Sequence, residues 1–297
     1  MKHTLRGWYC VCLLIYGMSP GRAQEQPPAE QPGQQQPGPQ IPKPPEPPPL
    51  PPRPPDVKMP DEGRISIGIW GWLPTGNPIY DKGKLAASTE ASHLRFAGKP
   101  KLGRGVILSL PAGGHNAIRI SYFDTKASGN VNAPTDLNLW STGFTAGDYL
   151  STNYRLRGGK FSYEFLTWPY PIGSRRFRLK TLWQVQYAKI ESTFNAPLST
   201  TETSVATGSK TVILPTLGLG ITEYFSRNVH FDANASGFTL PHRAALGDVD
   251  ASLSFRFSKL ELQAGGKMYY FKTSPKGDFY MKGMLTGAFV GLKFYLN

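Results

Sequence analysis

At 297 residues the chain is long enough for one large domain or two ordinary ones. Its formal charge of +13 fits nucleic acid, an anionic membrane surface or an anion-handling interior, and does not choose among them. Its two cysteines, Cys10 and Cys12, exclude a disulfide framework deeper in the chain.

Residues 1–23 have the layout of a secretory signal. Lys2, His3 and Arg6 precede an apolar run from Trp8 to Met18, then Ser19-Pro20-Gly21 and small residues at Gly21 and Ala23. The run is too short to cross a bilayer, which takes about 20 apolar residues. Cleavage after Ala23 removes Lys2, Arg6 and Arg22, lowering the formal charge by three from +13, and removes both cysteines. Residues 24–62 form a Pro-rich spacer with more than half of the chain's 28 prolines. So few large apolar side chains cannot offset the entropy of ordering, so a disordered, extended polyproline II segment is expected. Its reach is on the order of 100 Å. The run PPLPPRPP is of a kind that docks on an aromatic groove, although a solvated spacer is the plainer reading.

From residue 63 onward a period of two takes over. Ile65, Ile67, Ile69 and Leu73 alternate with Arg64, Ser66 and Gly68, and Val106, Leu108 and Leu110 with Ile107 and Ser109. Ile118, Ile120 and Tyr122 alternate with Arg119 and Ser121. Phe177, Leu179, Trp183, Val185 and Tyr187 oppose Arg178, Lys180, Gln184 and Gln186. Comparable alternation runs through 213–221, 229–236, 248–258, 259–270 and the last strand, where Val290, Leu292, Phe294 and Leu296 oppose Gly291, Lys293, Tyr295 and Asn297. No helical stripe interrupts it, so the fold class is all-β.

Tight links at 111–115, 170–174, 226–228 and Ser258-Lys259 alternate with long ones at 74–90, 128–147, 194–208, 239–247 and 273–278. That alternation describes a closed antiparallel up-and-down barrel with unlike ends. With both termini at the short-turn end the strand number is even, and about 10 strands (8–12) are expected. The stretch around Gly158-Gly159 is either a hairpin or one long strand with a glycine bulge. The bulge keeps the count even.

The polar face carries charges over nearly every strand, and the apolar face covers strands about 9–11 residues long, enough to cross a bilayer at a tilt. Aromatic residues gather near strand ends. Trp168, Phe177, Tyr224, Phe225, Phe257, Phe294 and Tyr295 lie near the short turns, and Trp70, Trp72, Tyr149, Tyr187, Tyr270 and Tyr280 near the other end. On these features residues 63–297 resemble the outer-membrane β-barrel proteins of Gram-negative bacteria. The resemblance implies a transmembrane barrel in the outer membrane, with the Pro-rich arm in the periplasm. It implies the lipid bilayer and the barrel-assembly machinery as partners, and the last strand, through Phe294, Tyr295 and Leu296, as the assembly signal. The chain ends in Asn297 rather than in the aromatic residue usual in that class.

No phosphate loop, zinc spacing or nucleophile elbow is present, so no cofactor or metal is expected. The polar face is expected to present Arg119, Arg155, Arg178, Lys180, Arg256, Lys259, Lys267 and Lys293 to the lumen. That makes either a basic, anion-favouring channel or, if the interior is dry, a set of paired charges. Cations on the inward face fit nucleic acid poorly. Three functions remain: a narrow channel or structural envelope barrel, a surface-binding or adhesion barrel acting through loop 194–208, and a barrel hydrolase using His242 near Asp248. Neither His115 nor His230 has an evident partner. The arm is expected to meet peptidoglycan or a periplasmic protein. A soluble secreted β-barrel is the alternative fold.

Overall fold

The alternating segments form strands because β-branched and aromatic side chains suit a pleated surface with two unlike faces. The computed structural model describes residues 59, 62–82, 93–170, 176–197, 204–275 and 279–296. The expected signal peptide and nearly all of the Pro-rich spacer lie outside them. The strands are β1 (Ser66–Thr75), β2 (Ile79–Lys82), β3 (Leu94–Arg95), β4 (Gly103–Pro111), β5 (Ala117–Asn132), β6 (Leu137–Leu139) and β7 (Thr142–Phe144). They continue as β8 (Tyr149–Tyr170), β9 (Phe177–Ala196), β10 (Ser204–Tyr224), β11 (Val229–Thr239), β12 (Ala245–Phe257), β13 (Leu260–Lys272) and β14 (Phe279–Tyr295).

Ten of these pair antiparallel in the order β1-β4-β5-β8-β9-β10-β11-β12-β13-β14, and β14 closes on β1 from Ser66↔Tyr295 to Thr75↔Thr286. Closure removes the exposed sheet edge, the arrangement that satisfies every ladder group without water. The short strand β2 pairs with the upper end of β14 and β3 with β2, while β6 and β7 make a separate hairpin.

Along the barrel the two faces exchange character. In the half near the short turns the outer wall is apolar, with Ile67, Ile69, Val106, Ile120, Phe161, Trp183, Val185, Ile213, Leu217, Leu219, Val290 and Leu292 exposed. The inner wall there is polar, carrying Ser162, Glu164, Gln184, Gln186, Thr216, Asp248, Arg256 and Lys293. In the other half the inner wall is apolar: Trp72, Phe123, Leu156, Ile190, Phe194, Val212, Leu246, Phe271 and Leu285 are buried in one cluster. The outer wall there carries Arg104, Asp124, Arg155, Arg157, Lys189 and Glu191.

The exchange falls on one line of the sheet. Ile69 pairs with Val106, Val106 with Tyr122, Tyr122 with Gly159, Gly159 with Tyr187 and Tyr187 with Ile213. Up to that line most apolar side chains point out, and beyond it most point in; Leu182 below and Leu73, Val205 and Met284 above are among the exceptions.

This explains the stretch around Gly158-Gly159. It is neither hairpin nor bulge: β8 runs straight through, paired residue for residue with β9 from Ser151↔Asn195 to Leu166↔Lys180, and its irregularity lies between Leu166 and Trp168. The apolar set passes from Tyr154 and Leu156 to Phe161 and Phe165 because the buried side of the wall changes. Gly158 faces inward, where a Cβ would stand 2.1 Å from the ring of Phe123. That ring is fixed edge-on between Trp72 (5.7 Å) and Tyr269 (4.9 Å). The glycine serves a close approach rather than a turn.

Two further expectations need correction. Trp70, Trp72, Tyr224 and Tyr295 point into the barrel and belong to no girdle, whereas Tyr149, Tyr187, Phe257 and Phe294 lie on the outer wall. The long loop 194–208 is mostly strand, since β9 reaches Ala196 and β10 starts at Ser204. Residues 198–203 between them lie outside the described residues.

Candidate functional site

The interior has two parts. At the long-loop end, segments between barrel strands fold inward rather than arching over the mouth. Tyr80 of β2 is fully buried against Trp140 (5.5 Å), Phe194 (5.6 Å) and Phe279 (5.2 Å). Phe96, just past β3, packs on Phe194 (5.1 Å) and Tyr154 (5.4 Å). The β6–β7 hairpin buries Leu137, Leu139 and Phe144, and turns at Trp140 and Ser141 with φ of 51° and 67°. Left-handed backbone at a bulky residue is strained, and it persists where its surroundings hold it. Here the Trp140 backbone N–H donates to the Tyr80 hydroxyl oxygen and its indole N–H to Ser192 Oγ, both at 2.8 Å. The Trp140 ring lies where a side chain on Gly208 would be. Outside the mouth, the Lys282 ammonium (2.9 Å) and the Tyr280 hydroxyl (3.1 Å) donate to Asp81. Burial acts to raise the Asp81 pKa, but these bonds outweigh it and hold the carboxyl below its usual range. They fasten β2 to β14.

Toward the short turns the wall changes to charge. Glu164 forms ion pairs with Arg119 (3.1 Å) and Lys180 (3.8 Å). Asp248 accepts Lys160 at 2.8 Å and also Lys267, and Asp250 lies 4.0 Å from Lys160. Glu261 accepts Lys293 (2.9 Å) and the Tyr295 hydroxyl (2.6 Å), and Arg256 lies 3.9 Å over the Tyr295 ring. His230 Nε2 is 2.9 Å from Asp232, which accepts Thr222 at 2.6 Å. Beside them Gln184, Gln186, Ser162 and Ser236 are bonded to one another in a polar ladder. At the bottom Glu62, the end of the spacer, meets Arg178 (3.2 Å) and His115 (2.6 Å).

In this lower half, among the described residues, seven inward cations (Arg119, Lys160, Arg178, Lys180, Arg256, Lys267 and Lys293) face six carboxylates (Glu62, Glu164, Asp232, Asp248, Asp250 and Glu261), while Lys210 stands in the mouth over the Trp140 ring. The lower interior is therefore close to neutral. A half-open cavity of about 90 Å³ remains between Arg119, Lys160, Gln184, Asp232, Lys267 and Lys293. It has room for a few water molecules and not for a peptide or an acyl chain.

Of the eight basic residues expected in the lumen, Arg119, Arg178, Lys180, Arg256, Lys267 and Lys293 line it. Arg155 stands on the outer wall, paired with Asp124, because β8 lacks the expected bulge and its parity carries Arg155 outward. Lys259 is exposed in the turn between β12 and β13. His242 is exposed in the turn after β11 with φ 59°, whereas Asp248 faces the interior, held by two lysines. The structure does not bring them together as a pair. His230 does have a partner, and the signal was present: His230 and Asp232, two apart on one strand, share a face. Glu62 was hidden by its place in the spacer, and Trp140 carried no signal at all. In the last strand Phe294 and Leu296 point outward, and Tyr295 points inward to Glu261.

The architecture has relatives among solved structures. The outer membrane protease OmpT from Escherichia coli matches over 81% of this chain and 99% of its own, with a TM-score of 0.54 and 10% identity. Ail, the attachment invasion locus protein of Yersinia pestis, matches over 78% and 99% with a TM-score of 0.35 and 12% identity. The Pseudomonas putida toluene transporter TodX matches over 80% and 91% with a TM-score of 0.29 and 8% identity. No protein-family model and no curated protein matches the chain. The likeness to OmpT shows the fold: this is a closed ten-stranded barrel of the outer-membrane kind.

Proposed function

We propose that the chain is an integral barrel of the bacterial outer membrane that does not conduct solutes and carries its dry-cored upper half beyond the bilayer as a structural or binding surface. The observation that carries this reading is the exchange of faces along one line of the sheet. An apolar outer wall over a polar interior suits lipid, and a polar outer wall over an apolar interior suits water. The packing of Tyr80, Phe96, Trp140 and Phe194 against one another at the mouth supports a closed barrel over a channel. Binding, in this reading, belongs to the upper wall rather than to loop 194–208. Hydrolysis, the activity named for OmpT, has less support, because Asp248 is engaged inside the wall and the interior cavity is too small for a polymer.

The reading extends to the ends of the chain. Phe294, Tyr295 and Leu296 serve the assembly machinery as the closing strand, and the Pro-rich arm runs into the periplasm toward peptidoglycan or a periplasmic protein. Planar-bilayer recording on the full chain tests the closed lumen. The expected result is insertion without discrete conductance steps at either polarity. Steady ohmic channels in proportion to inserted protein would show that the mouth is open.

A further inference from the structure

On the outer wall, two grooves follow one another along β5: the lower crosses the line where the faces exchange at Tyr122 and ends at Asp124, and the upper begins at Lys126, the next outward position. The lower, about 740 Å³, is apolar: Ile69, Val106, Tyr122, Val290 and Leu292 line it, and Gly71 leaves its floor bare of side chain. Arg104 and Asp124 stand at its upper end. The upper groove, about 400 Å³, is polar, and Lys101, Lys126, Arg155 and Glu191 border it. The pieces are neighbours by register. Arg104 pairs with Asp124 across β4 and β5, and Gly71 with Arg104 across β1 and β4. The Lys101 backbone N–H donates to the Lys126 carbonyl at 2.7 Å.

Charge at this level is one-sided. On the outward face of β4, β5, β8, β9 and the segment before β4, the cations Lys99, Lys101, Arg104, Lys126, Arg155, Arg157 and Lys189 stand with two carboxylates, Asp124 and Glu191. Arg155 holds Asp124, its Nε 3.0 Å from each oxygen, while Arg157 (3.3 Å) and Lys189 (2.8 Å) hold Glu191. Lys101, Arg104 and Lys126 are exposed and, among the described residues, make no ion pair within 4 Å, because Asp124, opposite Arg104, is held by Arg155 instead. The outward positions of β11 and β12, from Val229 to Thr239 and from Ala245 to Phe257, carry no charge. A general interfacial girdle would surround the barrel, whereas this patch occupies one sector.

We infer that the two grooves form one binding site for an acylated phosphate, a phosphorylated lipid of the leaflet on the long-loop side. Its chain lies in the lower groove, and its phosphate meets Arg104, Lys126 and Lys101. The inference rests on the membrane reading above. The Asp124 carboxylate, which would repel an anion, is already neutralised by Arg155, so the remaining field is positive. Both halves of the amphiphile are needed. The groove supplies apolar contact, and each cation near an anionic headgroup contributes to its retention.

The test uses the full chain in nanodiscs of dioleoylphosphatidylcholine with a minority of dioleoylphosphatidic acid, with retained lipid read by native mass spectrometry. The wild type is expected to keep phosphatidic acid selectively, and Arg104→Gln with Lys126→Gln to weaken its retention about thirtyfold. Val106→Trp, which fills the apolar groove and leaves every charge in place, is expected to weaken it as well. Heat-shifted gel migration confirms that each variant is folded. Unchanged retention in the charge variant overturns the site, as does displacement of the lipid by inorganic phosphate, which needs no acyl groove. Failure of the wild type to enter the bilayer overturns the membrane reading itself, whereas insertion without selective retention overturns this site alone.

Discussion

Asp248→Ala is expected to destabilise the barrel by about 3–5 kcal/mol, the cost of breaking a buried ion pair from one side. Asp248 is 5% exposed and holds Lys160 and Lys267 from the two sides of the lumen. After the substitution Lys160 retains Asp250 at 4.0 Å. Lys267 keeps the ring faces of Trp70 (5.8 Å), Phe123 (5.9 Å) and Tyr269 (6.0 Å), which do not replace a carboxylate, and must share Asp250, its cross-strand partner on β12, with Lys160. The cost comes from the stranded ammonium rather than from any large worth of the intact pair, so the two can be separated. Asp248→Leu with Lys267→Met removes one charge of each sign and is expected to recover most of the loss. Urea midpoints in detergent micelles, at unchanged slope, provide the measurement. A loss below about 0.5 kcal/mol for Asp248→Ala would mean that water reaches Lys267, and that the lower lumen is wet.

Phe194→Ala is expected to cost about 3–5 kcal/mol by opening a cavity in the seal. Phe194 is fully buried between Tyr80 and Phe96, which belong to the segment folded into the mouth. The loss should be local. Amide exchange is expected to accelerate in β2, β3 and the upper ends of β8 to β10, while the lower half keeps its protection, because its polar network shares no partner with Phe194. Uniform acceleration over the whole barrel would show that the two halves unfold as one unit. Protection unchanged throughout would show that the mouth is not packed as described.

Much of this fold was legible in the sequence. The alternation in FRLKTLWQVQY put Leu179, Trp183, Val185 and Tyr187 on one face and Arg178, Gln184 and Gln186 on the other, as the wall has them. The short and long links set the even strand number. What misled was the parity change at Gly158-Gly159. A bulge shifts the parity of one strand, and a change of surroundings shifts the parity of all of them. One strand cannot tell the two apart. Several together can: Tyr187 gives way to Ala188 and Ile190, Ile213 to Val212, and Tyr122 to Phe123, all on the same line of the sheet.

The site was less legible. Period-two reasoning assigned Arg119, Arg178 and Lys293 to the interior, but it carried Arg155 inward across a boundary it could not see. The pairing of charges was invisible too, because partners such as Lys160 and Asp248 lie 88 residues apart and meet only across the closed barrel. Trp140 seals the mouth through contacts with Tyr80, Ser192 and Gly208, which no local pattern announces.

On this structure one barrel meets two solvents, lipid around its lower half and water around its upper half. That is tested most directly by single cysteines down the outer face of β9, in a chain with Cys10 and Cys12 replaced by serine: Thr181→Cys, Val185→Cys, Lys189→Cys and Thr193→Cys. In lipid vesicles the first two are expected to resist a membrane-impermeant maleimide, and probes attached there after denaturation and refolding to be quenched by brominated acyl chains. The last two are expected to react at once and to escape quenching, with the break between Val185 and Lys189. Equal aqueous reactivity at all four positions would contradict the account, because the lower wall would then face water and the molecule would be a soluble barrel.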